Sequence, residues 1–256
     1  MKSYRATIPA VAFIFLLGLT LAGDQCCLAA EEGATVAGVV KFDGPRPKRK
    51  KIRLVEKGGK QSDCHKLHEK GLLDESMIVG EKGEVANVFV YVRKGLAKKS
   101  YPLPKEPAVL DQQKCMFRPR VQGVRVGQEF VMRNSDPLIH NVRSLSFRNR
   151  PFNIAQPAET PDRKKVFTRA EKAVMIQCDL HHWMQAYYFV MEHPYFAVTD
   201  AKGKFKIKGL PPGEYTLEAW HEAFGKKELK LTVADADSSN VNFAFTEKDR
   251  EKASTR

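Results

Sequence analysis

After residue 23 the sequence has no long hydrophobic run, no convincing helical periodicity and no internal repeat. The missing hydrophobic run excludes a protein that crosses the membrane several times, and the missing periodicities exclude coiled-coil and collagen-like chains. Negative charge is comparatively scarce, because 30 Asp and Glu stand against 43 Lys and Arg, for a net charge of +13. Disorder as the main state is also excluded, since 43% of the 256 residues are hydrophobic, enough for one or two domains with buried cores.

The N-terminus has the order of a secretory signal peptide. Lys2 and Arg5 form a basic start, residues 6–23 carry no charge, and Ala29 and Ala30 provide a small-residue exit. We therefore expect export to the periplasm or the extracellular space, with no membrane span after cleavage. The alternative is an uncleaved N-terminal anchor, because the apolar run is nearly long enough to span a bilayer. Cleavage would change the net charge only to +12 and would remove two of the five cysteines.

Short alternating or β-branched runs dominate the rest of the chain, and turn residues separate them, for example at 43–45 and 211–213. Many short strands with such turns predict an all-β sandwich or barrel. One short helix is expected near 64–70, and the polar tail is expected to fray. The predicted strands lie at 35–42, 85–92, 121–126, 129–133, 174–177, 187–191, 204–208, 215–220, 228–233 and 240–245.

The residues that carry chemistry gather in one predicted loop. Cys178, His181 and Met184 follow one another at three-residue spacing between two predicted strands, and His140 comes from an earlier segment. Two His and one Cys with a weak axial Met form the ligand set of a blue-copper electron-transfer site. When the ligands come from a loop and from a distant strand, the sandwich and not the metal sets the geometry of the site. The site then changes little between Cu(II) and Cu(I).

Three alternatives bear on this site. His182 could replace His181, but the three-residue spacing favours His181. Zinc also binds a His₂Cys set, although a Met at the axial spacing favours copper. A binuclear copper centre needs a second Cys in the loop, and the loop has none.

The Cys-x-x-His-x-x-Met loop resembles that of amicyanin-type cupredoxins, and residues 140–142 match their upstream ligand motif. The segments at 117–121, 126–128 and 133–136 resemble the opening strands of the same family. The resemblance covers about a third of the chain and implies one type 1 copper. The ligands that it implies are His140, Cys178, His181 and Met184.

The same resemblance gives Asn141 a role beside the metal, since it would support the Cys loop by hydrogen bonding. Arg120 and Arg143 depart from the family, because related sequences often carry His there. Neither is a ligand position, so the departures bear on surface recognition and not on copper.

The flanks of this central unit resemble a second family. Residues 198–205 and 210–217 resemble the second half of a carboxypeptidase-regulatory-like (transthyretin-like) β-sandwich, and 35–40 and 86–92 resemble its first strands. The whole arrangement is also similar to secreted proteins described as methylamine-utilisation-like. We therefore expect an all-β chain in which a cupredoxin Greek-key sandwich is inserted in, or joined to, a transthyretin-like sandwich. The expected order is a signal peptide (1–30), the first part of the transthyretin-like sandwich (31–98), the cupredoxin domain (99–193), the second part (194–246) and a polar tail (247–256).

Two cysteines remain if Cys178 binds copper and the signal peptide is removed. In an oxidising compartment, Cys64 and Cys115 are an even pair that favours a disulfide. The competing interpretation is a second metal site formed by Cys64, His65 and His68, which only a helix would align on one face.

A basic run at 45–53 adds to the positive charge. No nucleic-acid-binding motif accompanies it, so we expect no nucleic-acid partner. A solvated basic face is the default, and docking to an acidic redox partner or to an anionic envelope surface is the alternative. Trp183, beside the ligands, is either part of a partner-docking edge or a packed aromatic residue.

These patterns predict an exported protein that transfers single electrons through one type 1 copper. An enzyme is not expected, because the sequence has no recognisable nucleophile and base set and no second catalytic metal site. One alternative is a copper-binding or copper-delivery module without redox turnover. Another is an interaction protein whose transthyretin-like sandwich binds envelope or glycan partners.

Overall fold

A computed structural model describes residues 33–56, 58–234 and 240–254. The signal peptide expected at 1–30 lies outside these residues. The described chain is almost entirely β-structure, with one 3-10 helix and one short α-helix, and the all-β expectation is confirmed. Within this part of the chain, neither helix is long and apolar enough to span a bilayer.

The described strands are numbered in chain order. They are β1 (Ala34–Asp43), β2 (Lys51–Ile52), β3 (Leu72–Leu73), β4 (Phe89–Lys94), β5 (Ala108–Gln113), β6 (Met116–Arg118), β7 (Val121–Arg125), β8 (Glu129–Asn134), β9 (His140–Leu145), β10 (Phe152–Gln156), β11 (Arg163–Val166), β12 (Glu171–Gln177), β13 (Gln185–Met191), β14 (Phe196–Val198), β15 (Lys204–Leu210), β16 (Gly213–His221), β17 (Gly225–Val233) and β18 (Phe243–Thr246).

Strands from the two ends of the described chain share two sheets, which we call the flank sandwich. One sheet has the order β15-β1-β18 and the other the order β14-β4-β16-β17. In the first sheet β1 runs antiparallel to β15, with Val36 opposite Ile207, and parallel to β18. Alternate residues of these strands point inward, and the buried core includes Val36, Val90, Ile207, Leu217 and Phe245. Strands that are distant in sequence therefore close one core.

The intervening strands form a second pair of sheets, the central sandwich. Their orders are β10-β9-β12-β13-β7 and β11-β8-β5-β6. The pairs β5–β8 and β13–β7 are parallel, so the chain crosses between the sheets instead of forming a simple meander. Leu110, Phe130, Ile176 and Tyr188 are fully buried in its core.

Residues 51–56 and 58–73, the cover segment, pack on the central sandwich. Its ends pair as the short strands β2 and β3, and Cys64 and Leu72 are buried in the central core. Cys64 is joined to Cys115 in a disulfide, so the proposed second metal site with His65 and His68 is wrong. The ring of His65 bonds the carbonyl of Ser62 instead, and the ring of His68 bonds the carbonyl of Lys114.

A third apolar cluster joins the two sandwiches. The rings of Phe89 on β4 and Phe189 on β13 stack with their centroids 4.0 Å apart, a contact that contributes about 1 kcal/mol beyond the area it buries. Beside this cluster, both guanidinium–carboxylate bonds of Arg120 and Glu222 are short, at 2.5 and 2.7 Å. The side chains of this ion pair are only 4% and 7% exposed.

The ten predicted strands all overlap observed strands, and the helices needed correction. The helix expected near 64–70 is a 3-10 helix at Asp63–Leu67. The tail expected to fray forms an α-helix, α1, at Glu247–Ser254. In its first turn, the carboxylate of Asp249 accepts bonds from the backbone amide and hydroxyl of Thr246 and pairs with Lys227 of β17.

Candidate metal site

The four predicted ligands come from one strand and one loop of the central sandwich. His140 is the first residue of β9, whereas Cys178, His181 and Met184 lie between the adjacent strands β12 and β13. The loop is tightly closed, because the amide of Cys178 donates to the carbonyl of Met184 at 3.1 Å and the amide of Met184 donates to the carbonyl of His181 at 2.8 Å. The pairing of β9 with β12 brings His140 to this loop.

Three donor atoms face one another inside the protein. The Nδ1 atoms of His140 and His181 are 2.9 Å apart, and the Sγ atom of Cys178 lies 4.0 Å from Nδ1 of His181. One donor atom from each of the three residues lies within 4.8 Å of the others. The residues are 0%, 1% and 4% exposed for His140, Cys178 and His181. Met184 is fully buried in the same core cluster.

Asp136 backs His140 on the side away from the other donors. Its Oδ2 atom lies 2.9 Å from Nε2 of His140, and its carboxylate also accepts the amides of Lys114 and Cys115 at 2.5 and 2.6 Å. In neutral His140 the Nε2 proton is therefore donated to Asp136, which leaves the Nδ1 lone pair directed toward the loop. Asp136 was not among the predicted site residues, although an acid four residues before the candidate ligand is a usable signal.

Asn141 lies beside the loop, where its side chain holds the thiol. Its Oδ1 atom accepts the amide of Asp179 at 2.7 Å and the Cys178 thiol at 3.2 Å. Its Nδ2 group donates to Asn153 at 2.7 Å. These bonds connect the start of β9 to the residues that follow β12, so the sulfur is fixed from a neighbouring strand.

The surroundings of the site change the pKa of its groups. Burial raises the pKa of the Cys178 thiol, but hydrogen bonds from His140 and His181 lower it more, and the result is about 6. Burial lowers the pKa of His140, yet the Asp136 carboxylate and Cys178 raise it above its usual value. Because the thiolate is the form that binds metals, the site favours metal binding even before a metal is present.

The other residues considered as metal ligands are either exposed or already bonded to another group. His182 is exposed and packs against the ring of Trp183 with centroids 5.3 Å apart. Cys115, Asp136 and His140 also lie close enough for a metal, but the sulfur of Cys115 belongs to the disulfide. This leaves the donor set of His140, Cys178 and His181.

His193 and His221, which lie outside the donor set, are held by local backbone. The Nδ1 atom of each accepts an amide two residues further on. Burial lowers the pKa of His193 to about 4 and that of His221 to about 3. Both are therefore neutral at ordinary pH.

Trp183 and the two arginines that depart from the cupredoxin pattern have defined partners. Trp183 is 7% exposed, donates from Nε1 to the carbonyl of Cys115 at 3.1 Å, and lies 5.1 Å from the His181 ring between centroids. Arg143 pairs with Asp179 on the loop at 3.2 Å, and Arg120 forms the buried pair with Glu222.

Comparison with known proteins assigns one segment. Residues 191–246 match the model of the carboxypeptidase regulatory-like domain, which confirms the resemblance of the C-terminal flank to this family. No curated protein matches the chain, and the resemblance to methylamine-utilisation-like proteins gains no support.

Solved copper proteins resemble the chain only weakly. A copper-containing nitrite reductase (NirK) from Thermus scotoductus SA-01 is 18% identical with a TM-score of 0.32, over 39% of this chain and 26% of the reductase. A purple cupredoxin from Nitrosopumilus maritimus is 18% identical with a TM-score of 0.28, over 33% of this chain and 99% of its own. An oxidized amicyanin mutant is 18% identical with a TM-score of 0.31, over 40% and 98%. At such TM-scores the ligand assignment depends on the geometry and not on these matches.

Proposed function

We propose that this protein binds one type 1 copper ion and transfers single electrons. The observation that carries the proposal is the convergence of the His140, Cys178 and His181 donor atoms within 4.8 Å of one another in the protein interior. Met184 is the proposed axial ligand. When bound, copper supplies a one-electron couple between Cu(II) and Cu(I).

The donor chemistry fits copper. A thiolate with two imidazoles and a thioether is the set found in blue-copper sites. In its neutral form His140 presents the Nδ1 lone pair because its Nε2–H group donates to the Asp136 carboxylate, and the low pKa of Cys178 makes a thiolate available near neutral pH. The residues therefore need little rearrangement to act as ligands.

Burial favours electron transfer over copper delivery. Delivery requires a recipient thiol or imidazole to reach the ion, whereas the three ligands are at most 4% exposed. An electron does not need such access. Asp136 and Asn141 hold the ligands from β-strand and turn positions, which supports a site that stays rigid in both oxidation states.

We also propose that the protein is exported. The Cys64–Cys115 disulfide supports an oxidising compartment, in agreement with the N-terminal pattern. The periplasm and the extracellular space both satisfy this condition.

Reconstitution of the mature protein with Cu(II) tests the function. We expect intense blue absorption and a type 1 electron paramagnetic resonance spectrum, both abolished by Cys178→Ser because the thiolate provides the charge-transfer transition. A colourless protein that binds only Cu(I) would favour the delivery module. Binding of zinc in preference to copper would reject the metal assignment, and no metal binding would leave the interaction protein.

A further inference from the structure

A basic cleft lies beside the candidate metal loop. It has a volume of about 750 Å³, and its lining combines Lys50, Lys51 and Arg53 with His182 and Trp183. The last three basic residues of the run at 45–53 are thus placed, on and beside β2, next to His182 and Trp183 of the candidate loop. A basic face that is merely solvated would not need to lie beside the candidate metal site.

The charge of this cleft is largely uncompensated. Lys50, Lys51 and Arg53 are exposed, and within the described ranges none of them pairs with a carboxylate. Arg120 also lines the cleft, but Glu222 neutralises it. Asp74 is the one acid among the lining residues, and its carboxylate accepts the amide and hydroxyl of Ser76. The cleft therefore presents excess positive charge to a ligand.

Trp183 connects the cleft to the metal site. Its ring lies 5.1 Å from the ring of His181 between centroids, while the residue also lines the cleft. Its Nε1 bond to Cys115 fixes it at the end of the disulfide-bonded hairpin. A molecule in the cleft is consequently separated from a proposed copper ligand by one aromatic side chain.

We propose that the cleft docks an acidic segment of a one-electron redox protein, which exchanges its electron with copper by way of Trp183. The inference rests on the proposed function. In the exchange one electron passes between the partner's redox centre and the copper, so that one is oxidised as the other is reduced. Charge complementarity selects an acidic partner, and the concave shape favours a protein segment over a flat membrane surface.

Peptide binding to the full mature chain tests the docking part without copper. The probe is hexaglutamate, and the readout is tryptophan fluorescence, to which Trp183 in the cleft responds; Trp220 packs in the cluster between the sandwiches. We expect Lys51→Glu/Arg53→Glu to weaken binding about tenfold at low salt, because four units of charge change at the contact, and we expect added salt to weaken wild-type binding.

The matched control is Lys204→Glu/Lys206→Glu on β15 of the flank sandwich, where both residues are exposed. It makes the same change in net charge and should alter binding less than about twofold. If both double variants weaken hexaglutamate binding equally, the peptide is attracted by the net charge of the whole protein, and the cleft is not its binding site. Tighter, equally cleft-dependent binding to vesicles of phosphatidylglycerol would overturn the protein partner in favour of a membrane.

The electron-exchange part is tested with the copper-loaded, reduced protein and the anionic oxidant hexacyanoferrate(III). The cleft double variant should slow oxidation about tenfold, with little change in the control variant. Trp183→Leu should slow oxidation at saturating hexacyanoferrate(III), where the rate no longer depends on binding in the cleft, because the aromatic side chain between the cleft and His181 is removed. Unchanged oxidation in Trp183→Leu would overturn its role.

The two parts of the proposal can fail separately. If the protein binds the peptide but forms no blue copper, the electron exchange and the proposed function are overturned but the docking is not. If it forms blue copper but the cleft variants bind the peptide as the control does, the docking alone is overturned.

Discussion

The central and flank sandwiches each bury a histidine, but the two rings have different bonding partners. In the central sandwich, His140 has the Asp136 carboxylate on one ring nitrogen and the donors of the loop on the other. In the flank sandwich, His221 is equally buried, but its Nδ1 accepts an amide of its own loop and, among the described residues, no acid pairs with its ring. Burial alone therefore produces a neutral structural histidine. A ligand site also requires an acid behind the ring and other donors in front of it.

The largest expected effect contrasts two neighbouring histidines. His181→Ala should abolish blue copper because it removes one of three converging donors, whereas His182→Ala should leave the spectrum intact since its ring is exposed. Visible absorption after Cu(II) titration measures both. The reverse result would assign the ligand to His182 and contradict the site.

The next effect concerns the joint between the sandwiches. Glu222→Gln should destabilise the protein by about 3–5 kcal/mol, because the buried charge of Arg120 loses its partner. Chemical denaturation gives the free energy of unfolding. The control Asp162→Asn breaks an exposed pair with Arg133 and should cost at most about 1 kcal/mol; similar losses in both would mean that the buried pair has no special role.

A smaller effect should follow from removing the acid behind His140. Asp136→Ala frees Nε2 and the two hairpin amides, and we expect copper affinity to fall about 10- to 100-fold. Competition with a copper chelator measures the affinity. The control Asp162→Ala, at an exposed position of the same sandwich, should leave the copper affinity unchanged. If Asp136→Ala also leaves it unchanged, the acid behind the ring does not distinguish His140 from His221.

A further effect is a pH dependence in the flank sandwich. Because burial lowers the folded-state pKa of His221 from 6.5 to about 3, its contribution to stability is fully present above pH 6.5 and decreases as the pH falls toward 3. The slope should approach about 1.4 kcal/mol per pH unit within that window. Denaturation of the metal-free protein at pH 7 and 5 checks this, and His221→Gln should have a shallower slope. Identical slopes would place the pH dependence elsewhere.

The strands that were easy to predict and those that were missed differ physically. Runs such as β15 alternate buried and exposed residues, which the sequence shows as alternating polarity. By contrast, β9 buries four of its first five residues on both faces, including His140 and Asn141, and β11 is wholly exposed. Neither has an alternating pattern. The boundaries of the inserted unit at 99 and 193 stay a prediction.

The sequence by itself determined the β-class, the carboxypeptidase regulatory-like segment and the three-residue spacing of the candidate donors in the loop, because these depend on local alternation and on residue types close together in the chain. Only the tertiary structure decided that Asp136 is turned toward His140, that Cys64 forms a disulfide and not a metal site, and that Lys50, Lys51 and Arg53 lie beside Trp183. The last two depend on contacts between residues far apart in the chain, and the first depends on the course of the loop between β8 and β9. Such contacts arise when the core closes and leave no periodic signal in the sequence.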